Sequence, residues 1–112
     1  MTYSKTELFD EKLQLAASYF KALSHPARLA ILNYLAEAKV CISGDISNEL
    51  PLSRTTVNQH LKELKAIGLI QGTINGVKTN YCLNKEKINE MKAVLLSFTD
   101  GIQLPADFSC KS

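Results

Sequence analysis

The dipeptide Asn75-Gly76 stands between two β-leaning runs, Leu69 to Ile74 and Val77 to Leu83, in a chain whose other periodic segments are helical. Asn-Gly suits the two positive-φ positions of a type I′ turn, whose twist matches that of paired strands, so the pattern predicts a hairpin. Gly68 stands just before it, in the place of a helix C-terminal glycine. Ser53 is a suitable N-cap for the preceding segment, which predicts a helix reaching about Ala66. A helix that runs straight into a hairpin narrows the choice of small folds considerably.

The remaining elements can be placed by their apolar spacing. Phe9, Leu13, Ala16, Phe20 and Leu23 recur at steps of four and three, predicting a first helix over about Thr6 to Leu23. Leu8, Leu15 and Tyr19 widen its apolar face, which suits either core burial or contact with another subunit. Pro26 suits the first position of a second helix carrying Leu29, Leu32 and Leu35, with Ser24 or His25 near its cap. Ser43 is a plausible cap for a short third helix over about Gly44 to Leu50, which Pro51 ends. After the hairpin, a last helix from about Lys85 to Asp100 carries Ile88, Met91, Leu95 and Phe98 on one face. The expected fold is therefore mainly α with a small β-hairpin, in the order α-α-α-α-β-β-α of a winged helix-turn-helix. Residues 1–100 form a single domain and residues 101–112 a flexible tail.

A chain of 112 residues supports one modest core and no second unit. No stretch approaches the roughly 18 to 20 apolar residues of a membrane span, and Met1 to Asp10 lacks a charged-then-apolar secretory signal, so a cytoplasmic location is expected. Three cysteines at irregular spacing argue against a disulfide framework and for free thiols in a reducing compartment. The net charge is only +2, but its distribution is uneven. Between Pro51 and Asn84, Arg54, Lys62, Lys65 and Lys78 face Glu63 alone, while the rest of the chain is slightly acidic.

That basic segment contains the chemistry. The helices on either side of Leu50-Pro51-Leu52-Ser53 form a helix-turn-helix candidate, whose second helix is expected in a major groove. Val57, Leu61 and Leu64 form the stripe that holds this helix to the domain, and Arg54, Thr55, Asn58, Gln59 and Lys62 fall opposite. Asn58 and Gln59 can pair bidentately with adenine and Arg54 with guanine; Thr55 can touch a thymine methyl, and Lys62 a phosphate. Ser53 can add a phosphate contact at the helix start. A solvated helix face is the simpler reading of such residues in isolation; the adjoining turn and hairpin favour the groove. Asn75, Lys78 and Thr79 near the hairpin tip are placed for backbone or minor-groove contact, or else form an ordinary polar turn. His60 precedes core Leu61 and suits a structural or phosphate-contacting role.

The run Ala22-Leu23-Ser24-His25-Pro26-Ala27-Arg28-Leu29-Ala30-Ile31-Leu32 resembles the opening signature of the ArsR family of winged-helix repressors. The run from Leu52 to Ile70 resembles that family's recognition helix and its turn into the wing, and Gly72 with Tyr81-Cys82-Leu83-Asn84 extends the similarity over about Leu15 to Phe98. The resemblance implies a homodimer joined by its first and last helices, a palindromic double-stranded DNA operator, and a repressor released by an effector. A protein-binding winged-helix module without an operator is the alternative. Catalysis is not expected: Cys41 has no phosphate-loop arginine downstream, and no histidine and acid surround a nucleophile.

Arsenic-responsive members of that family carry a cysteine pair near the third helix. Here Cys41 stands near that place, with Ser43 where related sequences have a second thiol. Arsenite or antimonite, as soft ions, take two or three thiolates. Cys41 and Cys110 are the candidate ligands, and Cys82 is either a third or a buried strand residue. Thiol oxidation is the other effector reading. The family's site on the last helix needs histidine, which Glu86, Glu90 and Asp100 do not supply.

Overall fold

The computed structural model describes residues 8–38, 41–44, 46–75 and 78–110. Helix α1 spans Glu11–Ala22 and α2 spans Pro26–Ala38; a two-residue strand β1 covers Ile42–Ser43 and a 3-10 turn Ser47–Glu49. Helix α3 spans Arg54–Ala66, strands β2 and β3 span Ile70–Asn75 and Lys78–Leu83, and α4 spans Lys85–Asp100. The sheet is antiparallel with β3 in the middle, in the order β1-β3-β2. This is the winged helix-turn-helix arrangement expected above, with two differences in its middle.

Among the described residues of the segment expected as a third helix over Gly44 to Leu50, Ser47–Glu49 form a single 3-10 turn, and strand β1 stands just before the segment. Gly44 adopts φ +92°, a left-handed value no helix residue takes, so Ser43 ends β1 instead of capping a helix. The 3-10 turn still precedes α3 through Leu50-Pro51-Leu52, so the helix-turn-helix connection survives with a shorter first member.

Local chemistry accounts for the helix ends. Ser53 accepts a hydrogen bond from the Thr56 backbone N–H at 3.2 Å, and Asn84 accepts one from that of Lys87 at 3.2 Å; such caps each contribute about 1 kcal/mol. Asp10 likewise caps α1 by accepting from Lys12 N–H at 2.8 Å, which starts that helix at Glu11; Thr6, where the spacing placed its start, lies outside the described residues. At the other end of α3, the Gly68 N–H donates to the Lys65 carbonyl at 2.9 Å and the Leu69 N–H to that of Leu64 at 3.0 Å. With Gly68 at φ +91°, this is the glycine-terminated cap that turns a helix directly into a strand.

One core unites these elements. Val57, Leu61 and Leu64 of α3 are fully buried with Tyr19 of α1, Ile31 and Leu35 of α2, Leu69, Ile70 of β2 and Tyr81 of β3. The α3 stripe is the one expected from spacing. The stripe expected on the first helix divides: Ala16 is buried and Leu23 packs against the core, while Phe9, Leu13 and Phe20 are exposed, and Tyr19 and Ala22 complete the buried face. Leu29 of α2 is exposed too, with Ile31 taking its expected place in the core. The Tyr19 hydroxyl donates to Glu90 at 3.1 Å, and Lys87 pairs with the same carboxylate at 3.0 Å, so α1 is tied to α4 beside the core. No residue of α4 is fully buried; Ile88, Met91, Val94 and Leu95 pack on the core's edge, and Leu96 and Phe98 are exposed.

Candidate nucleic-acid interface

Burial of Val57, Leu61 and Leu64 fixes the rotation of α3 about its axis, and with it the face turned outward. Arg54, Thr55, Gln59 and Lys62 are exposed and Asn58 half-buried. Eight residues separate the first of these from the last, about 12 Å along the axis, within the length of helix that a major groove accommodates. Ser53 lies at the exposed N-terminus, with its hydroxyl also donating to Thr56 Oγ1 at 3.0 Å; its backbone end carries the positive pole of the helix dipole. Glu63, the acid among these cations, lies away from this face, in a groove it shares with Lys21 and Arg28. The outward face is therefore polar, with Arg54 near one end and Lys62 at the other.

Strands β2 and β3 rise beside α3, with Asn75 opposite Lys78 and Ile74 opposite Thr79 in the ladder. The side chains of Asn75, Lys78 and Thr79 and the turn at Gly76 and Val77 lie outside the described residues. The wing strands thus stand next to α3.

Behind the outward face is a cluster that spacing did not reveal. Arg28 Nε donates to His60 Nδ1 at 3.1 Å and Arg28 Nη1 donates to the Ala22 carbonyl at 3.2 Å. The His25 and His60 rings lie 4.4 Å apart between centroids, and His25 Nδ1 accepts from the Ala27 N–H at 3.0 Å, serving as the cap expected at the start of α2. Burial, then the neighbouring His25 and Arg28, hold the His60 imidazole below its usual 6.5, against an opposing pull from Glu63. The structural role is the one His60 takes. A histidine flanked by groove-facing and core residues was the signal available; its partner, 32 residues earlier, was not.

The cysteines depart from expectation. Cys41 and Cys82 are joined, with Cα atoms 4.3 Å apart, so they are not the free thiols that an odd count suggested. The register explains the meeting: Ile42 faces Tyr81 and Ser43 faces Asn80, which brings the next position outward on β1 opposite Cys82. A directly opposed antiparallel pair has its Cα atoms about 4.5 Å apart. Cys110 is free and exposed in the tail. Among the described residues, no group of three or more His, Cys, Asp or Glu is arranged to hold a metal ion, and no helix is long and apolar enough to cross a membrane.

Comparison with known proteins agrees with the fold. Residues 25–71 match the family described as bacterial regulatory protein, arsR family. An uncharacterized HTH-type transcriptional regulator of Methanocaldococcus jannaschii is 34% identical over 82 residues, covering 72% of this chain and 91% of the relative. The cadmium resistance transcriptional regulatory protein CadC of Listeria innocua is 27% identical over 100 residues, 88% of this chain and 83% of the relative. Among solved structures, an ArsR-like transcriptional regulator of a Rhodococcus species superposes with a TM-score of 0.58 at 27% identity, over 77% of this chain and 80% of the other. These relatives carry the names of regulators, in line with a chain that is not an enzyme. The matched segment runs from His25 through α3 into β2, the same stretch that builds the polar helix face, and the chain belongs to the ArsR family of winged helix-turn-helix, DNA-binding transcriptional regulators.

Proposed function

We propose that the protein is a homodimeric repressor that places two copies of α3 in successive major grooves of a palindromic operator and is released by a thiol-directed effector. The observation that carries this reading is the outward face of α3, locked in orientation by three fully buried side chains on its opposite side. Asn58 and Gln59 read adenine, Arg54 guanine and Thr55 a thymine methyl; Ser53 and Lys62 hold phosphates, and Asn75, Lys78 and Thr79 meet the backbone beside them. A regulator of this kind works in the cytoplasm, where the operator is.

Dimerisation through α1 and α4 is supported by what their faces leave open. Leu13, Leu15 and Phe20 of α1 and Leu96 and Phe98 of α4 are exposed, and Phe20 packs edge-on to Phe98 with ring centroids 5.6 Å apart, making one continuous apolar surface. A second copy related by a two-fold axis covers it with the same residues. Selection of duplexes from a random-sequence pool tests the assembly. The expected result is an inverted repeat whose half-sites are centred about one helical turn apart, roughly 34–36 Å. Enrichment of a lone asymmetric half-site would contradict it, and no enrichment would favour a protein-binding role.

The effector reading rests on donor chemistry. When reduced, Cys41 and Cys82 present two thiols side by side, a soft pair of the kind arsenite or antimonite takes, with Cys110 on the tail as the third thiol available. Oxidation of the pair is the competing input. Arsenite titrated into the reduced operator complex should release the DNA from wild type and leave a Cys41→Ser complex intact. Equal release from both proteins, or none from wild type, would remove the thiols from the mechanism.

A further inference from the structure

Helix α3 must be held firmly to read bases, and beside its apolar stripe it makes polar contacts to α2. Those contacts converge on His60, 8% exposed, one residue beyond Gln59 on the same helix. A guanidinium can only donate hydrogen bonds, so the 3.1 Å contact from Arg28 Nε requires a lone pair on His60 Nδ1 and puts the ring's proton on Nε2. The same guanidinium donates to the carbonyl of Ala22, the last residue of α1. Arg28 thus ties the end of α1, the start of α2 and the middle of α3 at a single point, and His25 closes that point with its ring.

We infer that Arg28 and His60, with His25 beside them, are positioning residues for operator recognition, seating α3 for the groove only while the His60 imidazole is neutral. This rests on the DNA-binding reading of α3. A protonated ring has no lone pair for Arg28 and puts two cations at hydrogen-bond distance in a buried site. One of them must leave, and with it the contact that sets Asn58 and Gln59. The charged and titratable groups around the ring are Arg28 and His25 from the α2 side, Glu63 on α3, and Lys21 at the end of α1, which lines the same groove as Arg28 and Glu63. Arg28 and the adjacent His25 oppose a further charge on the ring, and Glu63 favours it.

The consequence runs against ordinary protein–DNA electrostatics. Protonating a histidine beside DNA adds positive charge and normally tightens binding; here acid is expected to loosen it. The experiment measures affinity for a duplex selected by the wild-type protein at pH 7.5, from pH 7.5 to 5.5 at fixed salt, with folding followed by circular dichroism at each pH. Wild type should weaken toward pH 5.5, by up to about tenfold, because a proton taken up by the free form alone costs up to about tenfold per pH unit below that form's pKa. A His60→Asn protein, whose amide oxygen can accept from Arg28 without titrating, should lose that weakening. The wild-type protein supplies a second readout: the chain has two histidines, and by linkage the proton NMR titration of His60 should move to lower pH when the duplex is bound. A flat or tightening wild-type profile, or the same His60 titration with and without DNA, would overturn the proposal while leaving groove reading intact. Failure of wild type to select any duplex at pH 7.5 would overturn both.

Discussion

Replacing Asn58 and Gln59 together by alanine should weaken operator binding by about 2 to 6 kcal/mol, at least about 30-fold, and flatten the preference at the bases they meet. Each good bidentate base contact is worth about 1 to 3 kcal/mol of discrimination, and neither side chain belongs to the buried set that holds α3 in place. Alanine is a better helix former than either, so the variant keeps its fold, and circular dichroism and melting separate lost recognition from lost structure. Lys62→Ala provides the contrast. A phosphate contact carries no sequence information, so its removal should lower affinity uniformly across sequences. A double alanine variant that bound the selected duplex with unchanged affinity and base preference would take recognition away from this face.

Gly72→Ala should destabilise the protein by about 3 kcal/mol or more, the largest effect expected from adding one methyl group. Gly72 lies in β2 opposite Tyr81, with φ +118°, where a side chain costs about 1 to 3 kcal/mol in backbone strain alone. A Cβ there would also run into the backbone of β3, at the Asn80 carbonyl oxygen and the Tyr81 Cα. Since Tyr81 is fully buried, relief by moving β3 withdraws a core side chain, and relief by moving β2 breaks the wing. Denaturant melting reads the loss directly. Gly44→Ala is the useful comparison: its φ is also positive, but the methyl would meet nothing within 4 Å, so only the strain is expected.

The parts of the molecule that the sequence made legible are those fixed by local chemistry. Ser53, Asn84 and Gly68 mark helix ends because their side chains, or the lack of one, satisfy backbone groups within a few residues. The α3 stripe was legible because one helix face packs on one core. Helix α1 was legible only in part, because it is apolar on two faces: of the residues spacing picks out, Ala16 and Leu23 go to the core and Phe9, Leu13 and Phe20 do not, while the core also takes Tyr19, whose hydroxyl donates to Glu90 on α4. Strand β1 is too short for any period to register, and it exists because β3 offers an edge. The Cys41–Cys82 meeting follows from that register and is invisible without it. Arg28 and His60 belong to different helices and meet only when these cross.

These departures bear unequally on function. The α3 set proposed to read the groove is untouched by them, since it depends on that helix alone. The proposed thiol site changes more, because the thiol opposite Cys41 is on the central strand of the wing sheet and not in the tail. Any reagent that reacts with the pair therefore acts on the connection between β1, which leads into the helix-turn-helix, and β3, which carries the wing.

Recognition of duplex DNA by α3 and the wing is the claim on which the rest depends, and the salt dependence of binding to the selected duplex tests it most directly. Neutralising phosphates with Lys62 and Lys78 in each of two subunits releases condensed counterions, so log K should fall linearly with log salt at a slope of about −0.9 per phosphate neutralised, roughly −4 in total. A slope near zero, with weak binding that does not distinguish the selected duplex from unrelated DNA, would contradict it.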